Sequence, residues 1–358
     1  MDYDLAIVGA GPAGCSAAIT AAQCGLRVVL CERGGDPAAH PRDKVCGEFI
    51  SAEAAPLLAE WIPQTWALAP RVLTASITAA AGQSTLFTLP WPGRGLSRLA
   101  LDRALWCAAG AAGAALRPRT AVACLLPRNG GAEVRLASGG AFTAAAAILA
   151  TGRRRHAPAG TGWVGLKARF RGLPARSEIE LFALPDGYCG LAPVEGGWTN
   201  VSCLLRQRRA PSLRRSRDFS AWLASVPGAR WVRSRLHGGE QATATVVAPG
   251  IVLGAHAPTA GLALTAGDAS GFVDPFTGDG IARALLSGRL AAELAASGEA
   301  GAYPHELARS SGYLAAALLR PVLSAPPWLQ ALALGVLANA VVGPRLMALT
   351  RWRARSVG

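Results

Sequence analysis
Residues 1–14 read Met-Asp-Tyr-Asp-Leu-Ala-Ile-Val-Gly-Ala-Gly-Pro-Ala-Gly. Tyr3 to Val8 is a short apolar run of strand type that leads directly into the loop Gly9-Ala10-Gly11-Pro12-Ala13-Gly14. The Ala-rich stretch that follows predicts a helix to about Gln23, and Arg27 to Cys31 predicts a second strand ending at Glu32. Together these make a βαβ unit. In such a unit Gly9 permits the tight turn and Gly11 lets the backbone approach a pyrophosphate. Gly14 lets the helix pack close to the strand. The helix N-terminus offers free N–H groups and a positive dipole end to phosphates. Glu32 lies 21 residues after Gly11, where a carboxylate can accept hydrogen bonds from both ribose hydroxyls. An acid there disfavours the 2′-phosphate of NADP, so FAD and NAD remain.

Composition bounds what surrounds this unit. Of 358 residues, 51% are hydrophobic and 16% charged, which excludes a disordered chain. Eight Cys are too sparse for a disulfide scaffold. The formal charge of +14 raises nucleic acid or an anionic membrane as partners. Yet the only lysines are Lys44 and Lys167, and Ala, Gly and Pro are abundant. A compositional bias towards Arg is therefore preferred to a binding surface as the source of the charge. The Arg groups have few aromatics among them, so no nucleic-acid partner is expected.

The start is acidic at Asp2 and Asp4 and its apolar run enters a glycine loop, so a cytoplasmic protein is expected. The cysteines form no CxxC pair and the His do not cluster at ligand spacing, so no metal is expected.

Far downstream stands Gly267-Asp268-Ala-Ser-Gly-Phe-Val-Asp-Pro275-Phe-Thr-Gly278-Asp-Gly280-Ile281. A strand ends at Gly267, and a helix is predicted from about Gly280 to Ser297. Asp268 can hold polyol hydroxyls, and the helix opening at Gly280 could face the negative charge of a reduced flavin. With Asp43-Lys44-Val-Cys46-Gly-Glu48, and with Arg98 and Leu101-Asp102 opening a helix, four motifs are now in place. In this order the chain resembles FAD-dependent oxidoreductases of the p-hydroxybenzoate hydroxylase type, and among them the geranylgeranyl reductase-like branch.

The resemblance implies residue roles. Gly9, Gly11, Ala13 and Gly14 would hold the pyrophosphate and Glu32 the adenosine ribose. Arg33 would lie beside the adenine, and Val122 would touch it through its backbone. Arg98 would sit at the FAD phosphates, and Gly267 and Asp268 at ribityl or pyrophosphate oxygens. Pro275, Gly278, Gly280 and Ile281 would line the isoalloxazine. Lys44 and Cys46 would lie against the flavin as catalytic candidates: Cys46 either tunes the flavin or donates a proton, or simply packs. The strand ending Ala150-Thr151-Gly152 reads Thr-Gly where aromatic hydroxylases often read Asp-Gly.

The stretch 186–197 predicts a strand and a turn before a second strand from Thr199 to Leu205. It resembles the Tyr-x-Trp-x-Phe-Pro-Lys stretch that helps geranylgeranyl reductases bind their isoprenoid. Tyr188 and Pro193 match, while Gly190, Ala192 and Val194 replace Trp, Phe and Lys. Tyr188, Gly190 and Ala192 are the substrate candidates, although Tyr188 as strand filler is an equal reading. The widened space favours a planar or bulky apolar substrate over an isoprenoid diphosphate.

The expected fold is α/β: a Rossmann-like FAD-binding domain (1–72, 91–162, 246–300) interrupted by a smaller β-sheet substrate domain (73–90, 163–245), with a helical C-terminal region (301–358). In that region Pro326 to Pro344 carries no charge, but its prolines confine a helix to about 15 residues, too short to span a bilayer. Packing on the body is preferred to peripheral membrane contact. The leading function is an FAD-dependent monooxygenase on an apolar, phenolic or polyketide-like small molecule, through a flavin C4a-hydroperoxide. The alternative is a flavin-dependent reductase of C=C bonds in a prenyl-like or lipidic substrate. A flavin halogenase is a weaker third option, because Trp61-Ile62-Pro63 is only a fragment of the Trp-x-Trp-x-Ile-Pro motif and reads as a helix terminus. A binding protein at a membrane or nucleic acid that keeps FAD structurally is the reading from another class. No second GxGxxG unit exists, so electrons would come from transient NAD(P)H or a separate flavin reductase.

Overall fold
A computed structural model describes residues 1–153, 162–207, 218–255, 263–272, 275–310, 336, 345, 348–349 and 351–352. The apolar C-terminal stretch, with the helix expected between Pro326 and Pro344, lies almost wholly outside these residues.

The first sheet is built on strand β1 (Tyr3–Val8), parallel to β2 (Val28–Cys31) on one side and to β9 (Ala141–Leu149) on the other. Beyond β2 comes β6 (Ala115–Arg117). The other edge of β9 takes antiparallel β8 (Gly131–Leu136), itself paired to β7 (Val122–Arg128), and parallel β17 (Leu264–Thr265). The central strands are buried on both faces, so they read as unbroken apolar runs. Leu5, Ile7, Val28 and Leu30 join helices α1 (Pro12–Gln23), α4 (Arg98–Ala111) and α7 (Gly280–Ala296) in the main core. Ala6, Val29 and Cys31 face the opposite way. Two short helices, α2 (Ala55–Trp61) and α3 (Pro63–Leu68), and the later α8 (Tyr303–Ser310) complete this core. Trp61-Ile62-Pro63 is the junction of α2 and α3, with Ile62 buried, so that fragment is a helix terminus. Trp352 packs against the same core.

The second sheet runs in the order β14 (Glu240–Gln241), β10 (Trp163–Arg171), β13 (Trp198–Arg206), β12 (Gly187–Val194), β11 (Glu178–Leu184), β4 (Arg71–Thr78), β5 (Ser84–Gly95) and β3 (Phe49–Ile50). β15 (Val246–Ile251) also pairs with β10. Its outer face packs on α5 (Phe219–Ala224) and α6 (Arg230–Leu236). A two-stranded ribbon, β16 (Gly254–Ala255) with β18 (Gly271–Phe272), stands apart.

This sheet extends past the segments expected for it, 73–90 and 163–245. β5 continues through Pro90 and Pro92 to Gly95, because those prolines sit where β5 has no second neighbour and its register with β4 shifts. β15 lies beyond 245 yet pairs with Lys167 and Gly165. Phe49 and Ile50, placed by sequence in the first domain, add an edge strand through Gly95 and Arg94.

Candidate functional site
Gly9 has φ +105° and donates its N–H to the Cys31 carbonyl, which turns the chain off β1. A Cβ on Gly14 would lie 1.8 Å from the Gly9 carbonyl oxygen, so only glycine lets α1 start this close to the strand. Gly11 is the N-cap of α1, and space above it is open as far as an Arg98 Nη2 at 4.0 Å. Glu32 accepts from the Ala10 N–H at 3.0 Å and the Gly34 N–H at 2.7 Å, which fixes its carboxylate at the mouth of the loop. Arg33 is exposed beside it, and Val122 is half-buried at the start of β7.

Arg98 begins α4, where Ser97 caps the helix by accepting from the Ala100 N–H. Its guanidinium forms a two-pronged pair with Asp102 at 2.9 Å, and Lys44 Nζ reaches the same carboxylate at 2.8 Å. Burial opposes the charged form of Asp102, but Arg98 and Lys44 outweigh it and hold the carboxyl below its ordinary range. Gly11, Arg98, Asp102 and Lys44, scattered in sequence, thus come together.

The loop 43–48 has no regular structure and lies between α4 and the second sheet. Cys46 is half-buried, and its Sγ accepts from the Glu48 N–H at 3.4 Å. Glu48 has φ +59°, a conformation a β-carbon disfavours, and is wholly buried.

Downstream, a Cβ on Gly267 would lie 2.8 Å from the Ala13 Cβ, so the turn carrying Asp268 sits against the start of α1. Burial pushes the Asp268 carboxyl up, against the pull of Arg153, Arg98 and Arg283. Pro275 opens one helical turn, and Gly278 (φ +71°) lies close enough to Phe49 that a Cβ would meet its ring at 2.9 Å. Gly280 is the first residue of α7, exposed, with no atom within 4 Å of where its Cβ would be; Ile281 is buried. Thr277 and the buried Asp279 bracket this opening through a 2.6 Å hydrogen bond.

The inner face of the second sheet has two halves. One is apolar: Trp163, Tyr188, Leu204 and Ile251, with Leu181, Phe272 and Phe276. Tyr188 meets Phe276 edge-on at 5.7 Å. Pairing sets Tyr188 opposite Leu204, Gly190 opposite Ser202 and Ala192 opposite Asn200, so Gly190 and Ala192 continue the Tyr188 row. The other half is polar, and sequence reasoning assigned it nothing. Lys167, Arg169 and Asn200 are all buried there against the loop 43–48. The only signal in sequence was the rarity of Lys, which drew attention to Lys44 and also marked Lys167.

These residues fit an FAD. The open approach above Gly11, the backbone amides of α1, the uncovered end of α7 at Gly280 and the Arg-flanked Asp268 offer donors and space to a dinucleotide. Among the described residues no cluster of His, Cys, Asp and Glu is arranged to hold a metal ion, and no helix is long and apolar enough to cross a membrane.

Residues 3–55 match the family model of pyridine nucleotide-disulphide oxidoreductases. A menaquinone reductase of Mycolicibacterium smegmatis is 29% identical over 364 residues, covering 91% of this chain and 86% of the relative. A digeranylgeranylglycerophospholipid reductase of Methanoculleus marisnigri is 28% identical, covering 82% and 76%. Among solved structures, a flavin-dependent brominase superposes with a TM-score of 0.78 at 17% identity, covering 97% of this chain and 93% of that one. A geranylgeranyl bacteriochlorophyll reductase-like protein from Thermoplasma acidophilum gives 0.72 at 20% identity, covering 97% and 94%. The glycine loop, the arginine at α4, the far motif at 267–281 and these likenesses over most of the chain agree: the chain is similar to FAD-dependent oxidoreductases, reductases of the geranylgeranyl type among them, and shares their fold.

Proposed function
We propose that the chain is a flavin-dependent reductase that saturates a C=C bond in the prenyl chain of an apolar molecule, with a prenylated quinone favoured over a prenyl diphosphate. The observation that carries this reading is the apolar half of the inner face, from Trp163 to Phe276, which meets the loop of Lys44 and Cys46 at Gly165, where a Cβ would lie 2.8 Å from Val45 and 3.1 Å from Ile251. Two relatives, each matched over most of its length, bear the names of reductases acting on menaquinone and on a digeranylgeranyl lipid. Val194 stands where a phosphate-binding Lys would be, which argues against a diphosphate head.

FAD, when bound, supplies transfer of a hydride. Gly9, Gly11, Ala13, Gly14 and Arg98 would bind its phosphates, Glu32 its ribose with Arg33 and Val122 near the adenine, and Gly267 and Asp268 its ribityl oxygens. Pro275, Gly278, Gly280 and Ile281 would border its ring. The Trp163–Phe276 face would exclude water and orient the chain, with Tyr188, Gly190 and Ala192 as its floor. Cys46 or Tyr188 would deliver the proton that completes reduction. Transient NAD(P)H or a separate flavin reductase would supply the electrons, and so apolar a substrate would bring peripheral contact with a membrane.

Oxygenation of a phenolic or polyketide-like molecule is the second reading, favoured by the small side chains Gly190 and Ala192 where geranylgeranyl reductases carry Trp and Phe, although Leu181 Cδ2 would lie 3.2 Å from a Cβ on Gly190. Anaerobic incubation of the reduced protein with menaquinone separates the two. The proposal expects that, once air has returned any quinol to quinone, the menaquinone is still heavier by two hydrogen atoms, carried in its prenyl chain. Absence of that product without O2, with oxygen incorporated when 18O2 is supplied with a phenolic acceptor, overturns it.

A further inference from the structure
Three polar residues of the second sheet close on the loop 43–48 from one side. Lys167 Nζ lies 2.5 Å from Asp43 Oδ1, 2.5 Å from Glu48 Oε1 and 3.4 Å from the Lys44 carbonyl oxygen. Arg169 Nη2 lies 3.1 Å from Asp43 Oδ1 and 3.0 Å from Glu48 Oε1. Asn200 donates from Nδ2 to the carbonyls of Cys46, at 3.0 Å, and Gly47, at 3.1 Å. Lys167 and Asn200 are wholly buried and Arg169 nearly so. Strand pairing sets Arg169 directly opposite Asn200, with Lys167 two residues along β10 on the same face.

Burying two cations is costly unless each finds a carboxylate and well-placed hydrogen bonds. A sheet that needed only stability could carry apolar residues on this face, as its neighbouring half does. Here both anions come from one loop, and Glu48 also accepts the Arg98 N–H at 2.6 Å. That bond ties the loop to the first turn of α4. Glu48 keeps its left-handed backbone because these three donors hold its carboxylate. Asn200 then fixes the carbonyls of two consecutive peptides, Cys46–Gly47 and Gly47–Glu48.

We propose that Lys167, Arg169 and Asn200 are positioning residues: they fix the loop 43–48 through Asp43, Glu48 and the Cys46 and Gly47 carbonyls, and so set where Cys46 stands at the flavin. The proposal rests on the flavin reading for what Cys46 faces. The grip on the loop is independent of it.

The experiment measures alkylation of each cysteine by iodoacetamide in the full-length native protein, by peptide mass spectrometry, beside the visible flavin spectrum. The variants are Lys167→Met, Asn200→Ala, Arg169→Met and Arg169→Lys. Lys167→Met and Asn200→Ala are expected to change the Cys46 rate by about tenfold or more, while exposed Cys24, Cys107 and Cys124 stay within about twofold. The flavin band shifts with the Cys46 rate. Arg169→Lys, which keeps a cationic donor, returns most of the wild-type behaviour that Arg169→Met loses. Cys189 and Cys203, buried in the same sheet, report its integrity by staying protected. If Lys167→Met exposes them, the uncharged change Asn200→Ala decides. A Cys46 rate within about twofold of wild type in every variant that keeps Cys189 and Cys203 protected overturns the proposal. A protein purified without flavin whose Cys46 still responds keeps the clamp and sinks the flavin reading. A yellow protein whose Cys46 and flavin band ignore the substitutions does the reverse.

Discussion

Asp102 and Asp268 lie near the same guanidinium, Arg98, yet their carboxyls move in opposite directions. Asp102 is bonded by Arg98 and Lys44 and held down, while Asp268 feels Arg153, Arg98 and Arg283 only through space and burial pushes it up. Asp102 is therefore satisfied within the protein, while Asp268 is the carboxylate that the proposed function would set against ribityl hydroxyls. In the FAD-free protein, Asp268→Asn should raise the thermal midpoint at neutral pH, because it removes a half-buried charge that burial disfavours. The sign follows from linkage: the folded acid titrates above 3.8, so wild-type stability rises as pH falls through that range. The gap between the two proteins should then close below 3.8, and equal midpoints at neutral pH would sink the idea. Asp102→Asn should do the opposite. Its contribution is present in full above 3.8 and is lost as pH falls through the lower folded value, so that variant is weakest at neutral pH and converges on wild type in acid. Chemical denaturation across the acid range checks it.

At the scale of elements, the first helix and its loop separate two kinds of glycine. Gly14→Ala would force a Cβ onto the Gly9 carbonyl, and it should cost about 1–3 kcal/mol of stability as α1 is pushed off β1. Gly11→Ala meets open space, so it should leave the midpoint almost unchanged and lose FAD. Denaturation of the apo proteins beside flavin titration tells them apart; equal stability losses would refute the distinction. This part of the fold was legible in sequence because local rules decide it: β1 and α1 lie where glycine spacing put them, and α7 starts at Gly280 as expected. Strand β10 was not legible in the same way. Val164, Leu166, Ala168 and Phe170 alternate with Gly165, Lys167 and Arg169, a pattern that reads as a strand with one wet face. That face is dry, because a loop more than a hundred residues earlier in the chain covers it with carboxylates of opposite charge. No window of sequence contains both partners. The close approach of Gly95 to the Pro193 carbonyl, which a Cβ would strike at 1.7 Å, was hidden for the same reason.

At the scale of the whole molecule, two apolar cores meet across polar contacts. The core of α1, α4 and α7 and the core under α5 and α6 share no buried residue. Between them run Glu48 to Arg98, Glu195 to the Ser97 N–H at 2.8 Å, and the Lys167 cluster. Each link ends on the first turn of α4 or on the loop beside it, so the first domain receives the second at the place where flavin phosphates would sit.

The two lysines carry a practical consequence. An Arg-rich chain with only two side-chain amines offers acylating reagents almost nothing to attack. Lys44 is 41% exposed by side chain and Lys167 is sealed at 0%. Apart from an α-amine, a succinimidyl ester should therefore modify Lys44 alone, and intact mass spectrometry with peptide mapping should find one side-chain adduct and none at Lys167. A fluorophore attached this way would sit beside Asp102 and Arg98 without a designed cysteine, and its quenching could report flavin arriving.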